Sequence, residues 1–563
     1  MKYCLENPCI VQSDRTILLE THQAKYEEAR DFLTRFAELV KSPEHIHTYR
    51  ITPISLWNAS ATGISSSSII EDLEKYSKYE IPQNIVQEIK DYMDRYGRLK
   101  LIKEGERLFL ESEDSYLLEE IVHHKQIQPF IKARISQKKL EVHVGERGFL
   151  KQELIKVGFP VEDLAGYKEG DAVDIALREI SSSGNFFQIR EYQRKAIEIF
   201  HAKGTEKGGS GVVVLPCGAG KTIIGIGAMA KLGCETLILT TNTVALRQWI
   251  DEIRDKTTLA SDLIGEYSGD IKEICPITVS TYQILTARKK KQEGFTHFGL
   301  FDKRNWGLII YDEVHLLPAP VFRATALLQA KRRLGLTATL VREDGKESDV
   351  FSLVGPKKYD APWKDLEKQG WIATAQCHEV RISLPDSLKM EYAIATSKEK
   401  FRIASENFEK DRIAKALISK HKEDNILVIG QYIRQLENLA SSLDAPLITG
   451  KTAVKERLKL YKQFKEGKIK LLVVSKVANF AIDLPDANIA IQISGTFGSR
   501  QEEAQRLGRI LRPKKNGSVA HFYSLVTKET KDQEFAENRQ LFLTEQGYRY
   551  WIHNEKQICD ICP

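Results

Sequence analysis

Apolar residues recur along this chain with more than one period, and the changes of period predict its domains. From residue 1 to about 97 the period is helical, as in residues 24–41, where one stripe holds Ala29, Phe32, Leu33, Phe36 and Leu39. From about 98 to 180 the apolar runs are short and are separated by charged or glycine-bearing turns. The first stretch therefore predicts a mostly helical domain, and the second predicts a small mixed or β-rich domain.

Beyond a linker at residues 181–185, apolar runs of strand length alternate with helical segments in two successive sets. Near-continuous apolar strands between helices are typical of a parallel sheet that helices cover on both faces. We therefore predict an α/β protein with two doubly wound parallel-sheet lobes in tandem. The predicted strands are 212–215, 236–239, 277–280 and 308–311 in the first lobe, and 426–429, 447–449, 471–474, 489–492 and 520–523 in the second.

Composition limits the classes of protein that this chain can belong to. Its 83 basic and 77 acidic residues leave a net charge of +6, which is too slight to indicate a nucleic-acid partner, although basic clusters at 288–291, 331–333 and 512–515 suggest one. The start of the chain lacks a secretory signal, and no apolar run approaches the ~20 residues that span a bilayer. We expect a cytoplasmic protein without a membrane partner.

Eight cysteines in 563 residues do not indicate a disulfide framework. Cys559 and Cys562 have the spacing of half a zinc site, but the only similarly close pair, Cys4 and Cys9, lies at the opposite end of the chain. We therefore interpret the C-terminal pair as part of a tail and expect no zinc site there.

A glycine-rich loop joins the first strand of the first lobe to a helix. Its glycines let the backbone approach phosphates closely, while the N–H groups at the start of the helix face the anion. Lys221 can reach the β- and γ-phosphate oxygens, and Thr222 can bind magnesium. The general motif has glycine at position 215, where this chain has leucine. The predicted nucleotide-binding residues here are Leu215, Pro216, Cys217, Gly218, Ala219, Gly220, Lys221 and Thr222.

Two adjacent carboxylates, Asp312 and Glu313, end the fourth predicted strand. The carboxyl edge of a parallel sheet is where ligands of open α/β sheets bind. Asp312 is expected to hold the magnesium ion, and Glu313 to orient and deprotonate the attacking water. A helix-capping role is the alternative for such a pair, and the phosphate-binding loop in the same lobe makes that alternative less attractive.

Arg506 and Arg509 stand three residues apart in the second lobe and share one face of a predicted helix. Such a pair presents positive charge to an anion. In phosphoryl transfer, a guanidinium beside the γ-phosphate contributes about 10³ to 10⁵ in rate. A basic helix that faces solvent is the other interpretation of this pattern.

The order of these motifs resembles that of superfamily 2 helicases. More narrowly, the chain resembles the XPB family, and the N-terminal segments 47–53 and 56–58 extend the likeness to nearly the whole length. The segments that carry the resemblance are Arg190-Glu191-Tyr192-Gln193, residues 215–222, Asp312-Glu313-Val314-His315, Thr337-Ala338-Thr339, Arg342-Glu343-Asp344, Ser475-Lys476-Val477 with Asp483-Leu484-Pro485, residues 492–494, residues 498–500 and Gln505-Arg506-Leu507-Gly508-Arg509.

The resemblance implies further roles for individual residues. Gln193, with Arg190, is expected to contact the adenine, and Asp483 is expected to join the nucleotide site. Gln505 is implied beside the two catalytic arginines. Thr337, Thr339 and the strand-separating Arg342-Glu343-Asp344 are expected to couple ATP hydrolysis to DNA.

The resemblance also implies an architecture and an activity. The lobes would be RecA-like, and ATP with Mg²⁺ would be bound between them by a 3′–5′ DNA helicase or double-strand translocase of DNA repair, acting on single- and double-stranded DNA. Phe480-Ala481 stands where many helicases have glycine, so we expect good translocation and weak unwinding. The implied domains are an N-terminal domain (1–97), a damage-recognition-like domain (98–180), lobe 1 (181–376), a thumb-like insertion (377–412), lobe 2 (413–545) and a tail (546–563).

Two other functions stay open at this point. An RNA helicase would carry the same ATPase motifs, although Arg342-Glu343-Asp344 favours DNA. A nucleotide-dependent scaffold could load a nuclease or another partner through the N-terminal domain. A scaffold would have no physical need for a water-activating carboxylate such as Glu313, and this argues against the second alternative.

Overall fold

The structure, a computed structural model, describes most of the chain in two units. The first unit holds residues 1–38, 48–215 and 220–361, and the second holds residues 39–47, 216–219 and 362–563. Among the helices described, none is both long and apolar enough to cross a membrane. The described residues are 4–43, 45–216, 218–287, 296–329, 331–340, 346–475, 487–497, 499–508, 510–511 and 519–559.

The N-terminal domain combines four helices with a four-stranded sheet of order β1-β2-β4-β3. The predicted stripe is buried at all five positions, but the helix ends at Leu33, and Leu39 lies in a strand. A spacing of three residues also fits a turn followed by a strand, so periodicity alone could not separate the two. The elements are β1 (Cys9–Val11), β2 (Thr16–Glu20), α1 (Tyr26–Leu33), β3 (Glu38–Lys41), β4 (Ile46–Arg50), α2 (Pro53–Ala61), α3 (Ser66–Tyr76) and α4 (Gln83–Arg95).

The next domain is a five-stranded sheet of order β7-β8-β6-β5-β9 with two helices, which confirms the predicted small mixed domain. Alternate residues of β5 point into its apolar core, where Leu99 and Leu101 are fully buried. The elements are β5 (Leu99–Glu104), β6 (Arg107–Glu111), α5 (Ser115–His123), β7 (Ile131–Ser136), β8 (Lys139–Val142), α6 (Arg147–Lys156) and β9 (Val161–Asp163).

The first lobe is a seven-stranded parallel sheet of order β12-β13-β11-β14-β15-β10-β16. Asp312 at the end of β14 lies beside Leu336, and Thr337 lies beside Val214, so three strands deliver their ends to one edge. The elements are α7 (Glu191–His201), β10 (Ser210–Val214), α8 (Lys221–Leu232), β11 (Thr236–Thr240), α9 (Thr243–Lys256), β12 (Ile264–Tyr267), β13 (Ile277–Thr281), α10 (Tyr282–Leu285), β14 (Leu308–Asp312), α11 (Ala319–Leu327), β15 (Arg332–Thr337), α12 (Glu347–Asp349), a π-helical turn (Val350–Val354) and β16 (Lys357–Asp360).

The small domain is joined to this lobe by buried charges on α6. Asp163 accepts from Arg147 at 2.6 Å and from Lys151 at 2.9 Å, and Lys151 also donates to Gln329 at 2.8 Å. A Cβ added at Gly148 would lie 2.3 Å from the carbonyl oxygen of Ala326, so only glycine lets α6 approach α11 this closely. These contacts hold the small domain and the first lobe together within the first unit.

The second lobe is another seven-stranded parallel sheet, of order β19-β20-β18-β21-β22-β17-β23, and with the first it confirms the predicted α/β architecture of two parallel-sheet lobes. Its elements are α13 (Trp363–Lys368), β17 (Ala375–Ile382), α14 (Asp386–Ile394), α15 (Ser397–Ser405), α16 (Glu409–Lys420), β18 (Ile426–Gly430), α17 (Ile433–Ser442), β19 (Leu447–Ile448), α18 (Val454–Lys465), β20 (Leu471–Ser475), β21 (Ile489–Gln492), α19 (Arg500–Gly508), β22 (Ala520–Thr527), α20 (Lys531–Glu545), β23 (Tyr550–Asn554) and α21 (Glu555–Cys559).

Two of these strands lie outside the predicted limits of the second lobe. β17 falls in the stretch assigned to the thumb-like insertion and its preceding lobe, and β23 falls in the stretch assigned to the tail. Both belong to the sheet of the second lobe: β17 pairs with β22 on one side and with β23 on the other. Their sequences mix polar with apolar residues, which hid them from a search for continuous apolar runs.

Candidate active site

The phosphate-binding loop leaves β10 and enters α8 through two glycines in left-handed conformations. Gly218 has φ +83° and Gly220 has φ +78°, a region that residues with a Cβ rarely adopt. Gly220 is the N-cap of α8, and a Cβ there would lie 2.5 Å from Nε2 of Gln193. The loop thus needs glycine at position 220 for its backbone angle and for the space that Gln193 takes.

Lys221 and Glu313, which the sequence places 92 positions apart, meet in the first lobe. The ammonium group of Lys221 lies 3.2 Å from Oε1 of Glu313, and both side chains are largely buried. Glu313 itself has φ +50° and ψ +56°, and a left-handed residue with a Cβ costs about 1–2 kcal/mol. Such strain is tolerated where the surrounding structure imposes it, and it is frequent at active sites.

Asp312 is held, through its carboxylate and its backbone oxygen, by two aromatic residues that the sequence did not single out as functional. The indole N–H of Trp249 donates to Oδ2 of Asp312 at 2.9 Å, and the hydroxyl of Tyr282 donates to its backbone oxygen at 2.8 Å. Burial, with the negative charge of Glu313 next to it, raises the pKa of Asp312 to about 6. A cation bound here would favour the ionised carboxylate.

On α9, Trp249 lies in an apolar stripe with Leu246, Ile250 and Ile253, all of them buried. The sequence does hold one indication of where Trp249 lies. Gly225 stands inside the helix α8, where glycine lowers helix stability by about 1 kcal/mol relative to alanine. A Cβ at Gly225 would lie 2.4 Å from Cη2 of Trp249. The glycine therefore makes room for the ring whose N–H orients Asp312.

His315 connects the carboxylate pair to the Thr337-Ala338-Thr339 segment. Its Nδ1 lies 2.7 Å from Oγ1 of Thr337, and 3.5 Å from Oε2 of Glu313. Thr337 also accepts from the backbone N–H of Thr339 at 3.1 Å, and its carbonyl accepts from Leu215 at 2.9 Å. The segment is thus bonded both to the phosphate-binding strand and to the Glu313 turn.

Gln193 and Arg190 lie at the start of α7. The Gln193 side chain accepts from the backbone N–H of Arg190 at 3.0 Å, and a guanidinium nitrogen of Arg190 donates to the Tyr192 hydroxyl at 3.1 Å. Gln193 is buried beside Gly220, so it lies next to the phosphate-binding loop. Its contact with adenine stays a prediction.

Arg506 lies in α19 of the second lobe, where its guanidinium is 1% exposed. It donates to the side-chain oxygen of Gln492 and, at 3.4 Å, to the carbonyl of Ser494, and it lies 3.5 Å from Glu502. Burial lowers the pKa of Arg506. The predicted contact of this residue with a phosphate stays a prediction, and the structure shows a guanidinium engaged inside its own lobe.

Several predicted site residues lie outside the described part of the chain. These are Cys217, Arg342, Glu343, Asp344, Asp483 and Arg509, together with the side chain of Gln505. Thr222 lies in the first turn of α8, next to Lys221. Within the described part of the first lobe, five predicted site residues lie together at one edge of the sheet: Gln193, Gly220, Lys221, Asp312 and Glu313.

A magnesium ion fits the oxygen donors at this edge. In nucleotide sites Mg²⁺ takes one or two carboxylates and completes its shell with phosphate oxygens and water. Asp312 supplies one partly buried carboxylate, which Trp249 orients, and Thr222 supplies a hydroxyl at the start of α8. Bound there with a nucleotide, the ion would neutralise charge on the β- and γ-phosphates.

Sequence models of three families match the chain. The ERCC3/RAD25/XPB C-terminal helicase family matches residues 366–561, a range that includes both β17 and β23. The family described as type III restriction enzyme, res subunit, matches residues 186–342. A family described as helicase conserved C-terminal domain matches residues 9–136.

Relatives similar over nearly the full length define the family more directly. The chain is 54% identical to the DNA 3′-5′ helicase XPB of Kineococcus radiotolerans, over 98% of this chain and 97% of that protein. It is 54% identical to the DNA 3′-5′ helicase XPB of Mycobacterium tuberculosis, over 98% and 99%. It is 32% identical to the general transcription and DNA repair factor IIH helicase/translocase subunit XPB/SSL2 of Saccharomyces cerevisiae, over 96% of this chain and 71% of that protein. At these identities over nearly the whole length, this chain belongs to the XPB family.

Proposed function

We propose that this protein is an ATP-dependent motor on DNA, a 3′–5′ helicase or double-strand translocase that acts in DNA repair. The observation that carries the proposal is the 3.2 Å approach of Lys221 to Glu313 at the carboxyl edge of the first lobe. The proposal takes Lys221 as the phosphate-binding cation and Glu313 as the general base, and this short distance supports their acting at one site. That pairing is what hydrolysis of a nucleoside triphosphate by an activated water requires.

Each group in the first lobe has a separate task in this proposal. Lys221 leaves Glu313 for the β- and γ-phosphate oxygens when ATP binds, which frees the carboxylate to accept a proton from the attacking water. Asp312 and Thr222 hold Mg²⁺, and Trp249 keeps the Asp312 carboxylate oriented. Gln193 and Arg190 recognise the adenine, and Asp483 joins the nucleotide site.

The second lobe supplies arginines that stabilise charge on the transferred phosphoryl group. Arg506 and Arg509 are the proposed pair, with Gln505 beside them. Because the guanidinium of Arg506 is committed to Gln492 and Ser494, we assign the direct γ-phosphate contact to Arg509 and its support to Arg506. A guanidinium at that position is worth about 10³ to 10⁵ in rate.

DNA is the nucleic acid along which we propose that the protein moves. Thr337 and Thr339 would couple ATP hydrolysis to the DNA-binding surface, because His315 connects their segment to the Glu313 turn. Arg342-Glu343-Asp344 would separate the DNA strands. Binding by phosphate contacts weakens with salt at a slope of about −0.9 per contact on duplex DNA. A nuclease partner, loaded by the moving protein, is a further part of the proposal.

ATPase assays with different nucleic acids test this function. We expect duplex or single-stranded DNA to stimulate ATP turnover more than RNA of the same sequence, and Lys221→Ala to abolish the stimulated turnover. Displacement of a triplex strand, run beside unwinding of a forked duplex, separates translocation from unwinding. Greater stimulation by RNA would favour an RNA helicase, and no turnover on any nucleic acid would favour a nucleotide-dependent scaffold.

A further inference from the structure

Five charged side chains of the second lobe are almost completely buried on or beside α19, the helix that carries Arg506. Three are cations and two are anions, and each is at most 1% exposed: Lys410, Arg506 and Arg539, with Glu503 and Asp532. Removing charges from water costs several kcal/mol per ion, and apolar residues of the same size often stabilise a fold as well or better. Fold stability alone is therefore a weak reason for such a set.

Arg539, on α20, occupies the centre of this buried set. Its guanidinium donates to the carbonyl of Thr496 at 2.7 Å, and lies 3.6 Å from Glu503 and 3.8 Å from Asp532. A Cβ added at Gly495 would lie 2.1 Å from Cζ of Arg539, so that glycine leaves the space for the guanidinium. Arg539 thus contacts both the helix α19 and the segment that leads into it.

Glu503 is linked to Arg506 through the side chain of Gln492. The side chain of Gln492 donates to Glu503 at 2.9 Å through Nε2, and its oxygen accepts from Arg506. The hydroxyl of Tyr550, on β23, also donates to Glu503 at 3.3 Å. The side-chain amide of Gln492 therefore contacts both Glu503 and Arg506, so we expect a shift of Glu503 to change the position of Arg506.

The other end of the set is the ion pair of Lys410 and Asp532. Their charged atoms lie 2.6 Å apart, and neither side chain is exposed. Asp532 also accepts from the backbone N–H of Thr527 at 3.1 Å, which fixes it at the start of α20. Because Asp532 also lies 3.8 Å from the guanidinium of Arg539, this pair helps to orient Arg539.

We propose that Arg539 is a positioning residue for ATP hydrolysis: its guanidinium fixes α19 through Glu503 and Thr496, and the Lys410–Asp532 pair fixes Arg539. The inference rests on the proposed function, because α19 matters to catalysis only if Arg506 serves an ATPase site. A displacement of about 1 Å in a catalytic group can cost about 100-fold in rate. Loss of Arg539 should therefore lower kcat and leave the binding of ATP by Lys221 and Thr222 largely unchanged.

The test compares full-length Arg539→Met and Arg539→Lys with the wild type in DNA-stimulated ATPase assays, with thermal unfolding measured in parallel. We expect Arg539→Met to lower kcat at least tenfold while KM for ATP changes less than threefold, and Arg539→Lys to recover a large part of kcat. Glu503→Gln should lower kcat too, and its effect should not add to that of Arg539→Met. Lys531→Met, which removes a more exposed cation from the same helix, is the control and should match the wild type.

A folded Arg539→Met with kcat within twofold of the wild type would overturn the proposal. So would a loss of kcat in both Arg539 variants that simply follows their loss of thermal stability. If Arg539→Met does not fold, Lys410→Met combined with Asp532→Asn takes its place, with kcat expected to fall at least threefold at unchanged KM, and unchanged kcat again overturning the proposal. Lys221→Ala separates the two ideas, because full turnover in that variant would end the proposed function, whatever Arg539 does.

Discussion

The indole N–H of Trp249 donates a 2.9 Å hydrogen bond to Oδ2 of Asp312, the carboxylate proposed to hold magnesium. The bond joins α9 to the carboxyl end of β14, and Gly225 of α8 provides the space in which the ring lies. A residue that would be counted as part of the core therefore sets the direction of a site carboxylate.

Replacing Trp249 with phenylalanine should separate these two roles. The smaller ring keeps most of the packing and loses the N–H, and a hydrogen bond to a charged group is worth about 1.5–3 kcal/mol. We expect about tenfold more Mg²⁺ to be needed for half-maximal ATPase activity. The matched control is Trp306→Phe, because the Trp306 N–H bonds the backbone oxygen of Leu300 away from the site. Equal Mg²⁺ requirements in both variants would contradict the role given to Trp249.

Gly220→Ala tests the geometry of the phosphate-binding loop. The new Cβ would meet Nε2 of Gln193 at 2.5 Å in a backbone conformation with φ +78°. We expect affinity for a fluorescent ATP analogue to fall at least tenfold. Gly105→Ala, with φ +58° and no atom within 4 Å, carries only the conformational cost of about 1–2 kcal/mol and should bind the analogue normally. Normal binding by Gly220→Ala would contradict the described loop.

A chain of histidines in the second lobe should make its stability depend on pH. His378 lies between His553, at 3.0 Å, and His521, at 3.1 Å, and it stacks on Tyr523. Burial, with these histidines nearby, lowers the pKa of His378 from 6.5 to about 3. The unfolded chain then binds more protons between these values, so stability is complete above pH 6.5 and falls as the pH drops towards 3.

The variant His378→Phe keeps the stacked ring and removes this titration. Between pH 7.5 and pH 5.5, the midpoint of urea unfolding should fall more for the wild type than for His378→Phe. The same fall in both proteins would show that His378 does not contribute. Burial also lowers the pKa of His421 and of His553, so part of the pH dependence of stability should remain in the variant.

Sequence patterns predicted the parts of this protein that rest on local regularity. The strand before the phosphate-binding loop, the Asp312-Glu313 pair and the two parallel sheets all follow from apolar runs and residue spacing. The patterns failed where tertiary contacts decide. Leu39 joined a strand through pairing with its neighbours, and β17 mixes polar and apolar residues although it lies inside a sheet.

The site was harder to predict where the contacts of a side chain in the folded protein differ from what its own sequence segment indicates. Trp249 reads as apolar on its helix, and only the folded chain brings its N–H to Asp312. Arg506 reads as a surface cation, since nothing in its own segment reveals that Gln492 and Ser494 enclose its guanidinium. Such contacts depend on residues far apart in sequence.

The steady-state DNA-stimulated ATPase rate of Glu313→Gln tests the central claim most directly. The amide keeps the size of the side chain but cannot accept the proton of the attacking water, and a general base contributes about 10²- to 10⁴-fold. We predict that kcat falls by at least 100-fold while KM for ATP stays within threefold of the wild type. A variant that retains near wild-type turnover would contradict the assignment of Glu313 and, with it, the proposed ATPase site.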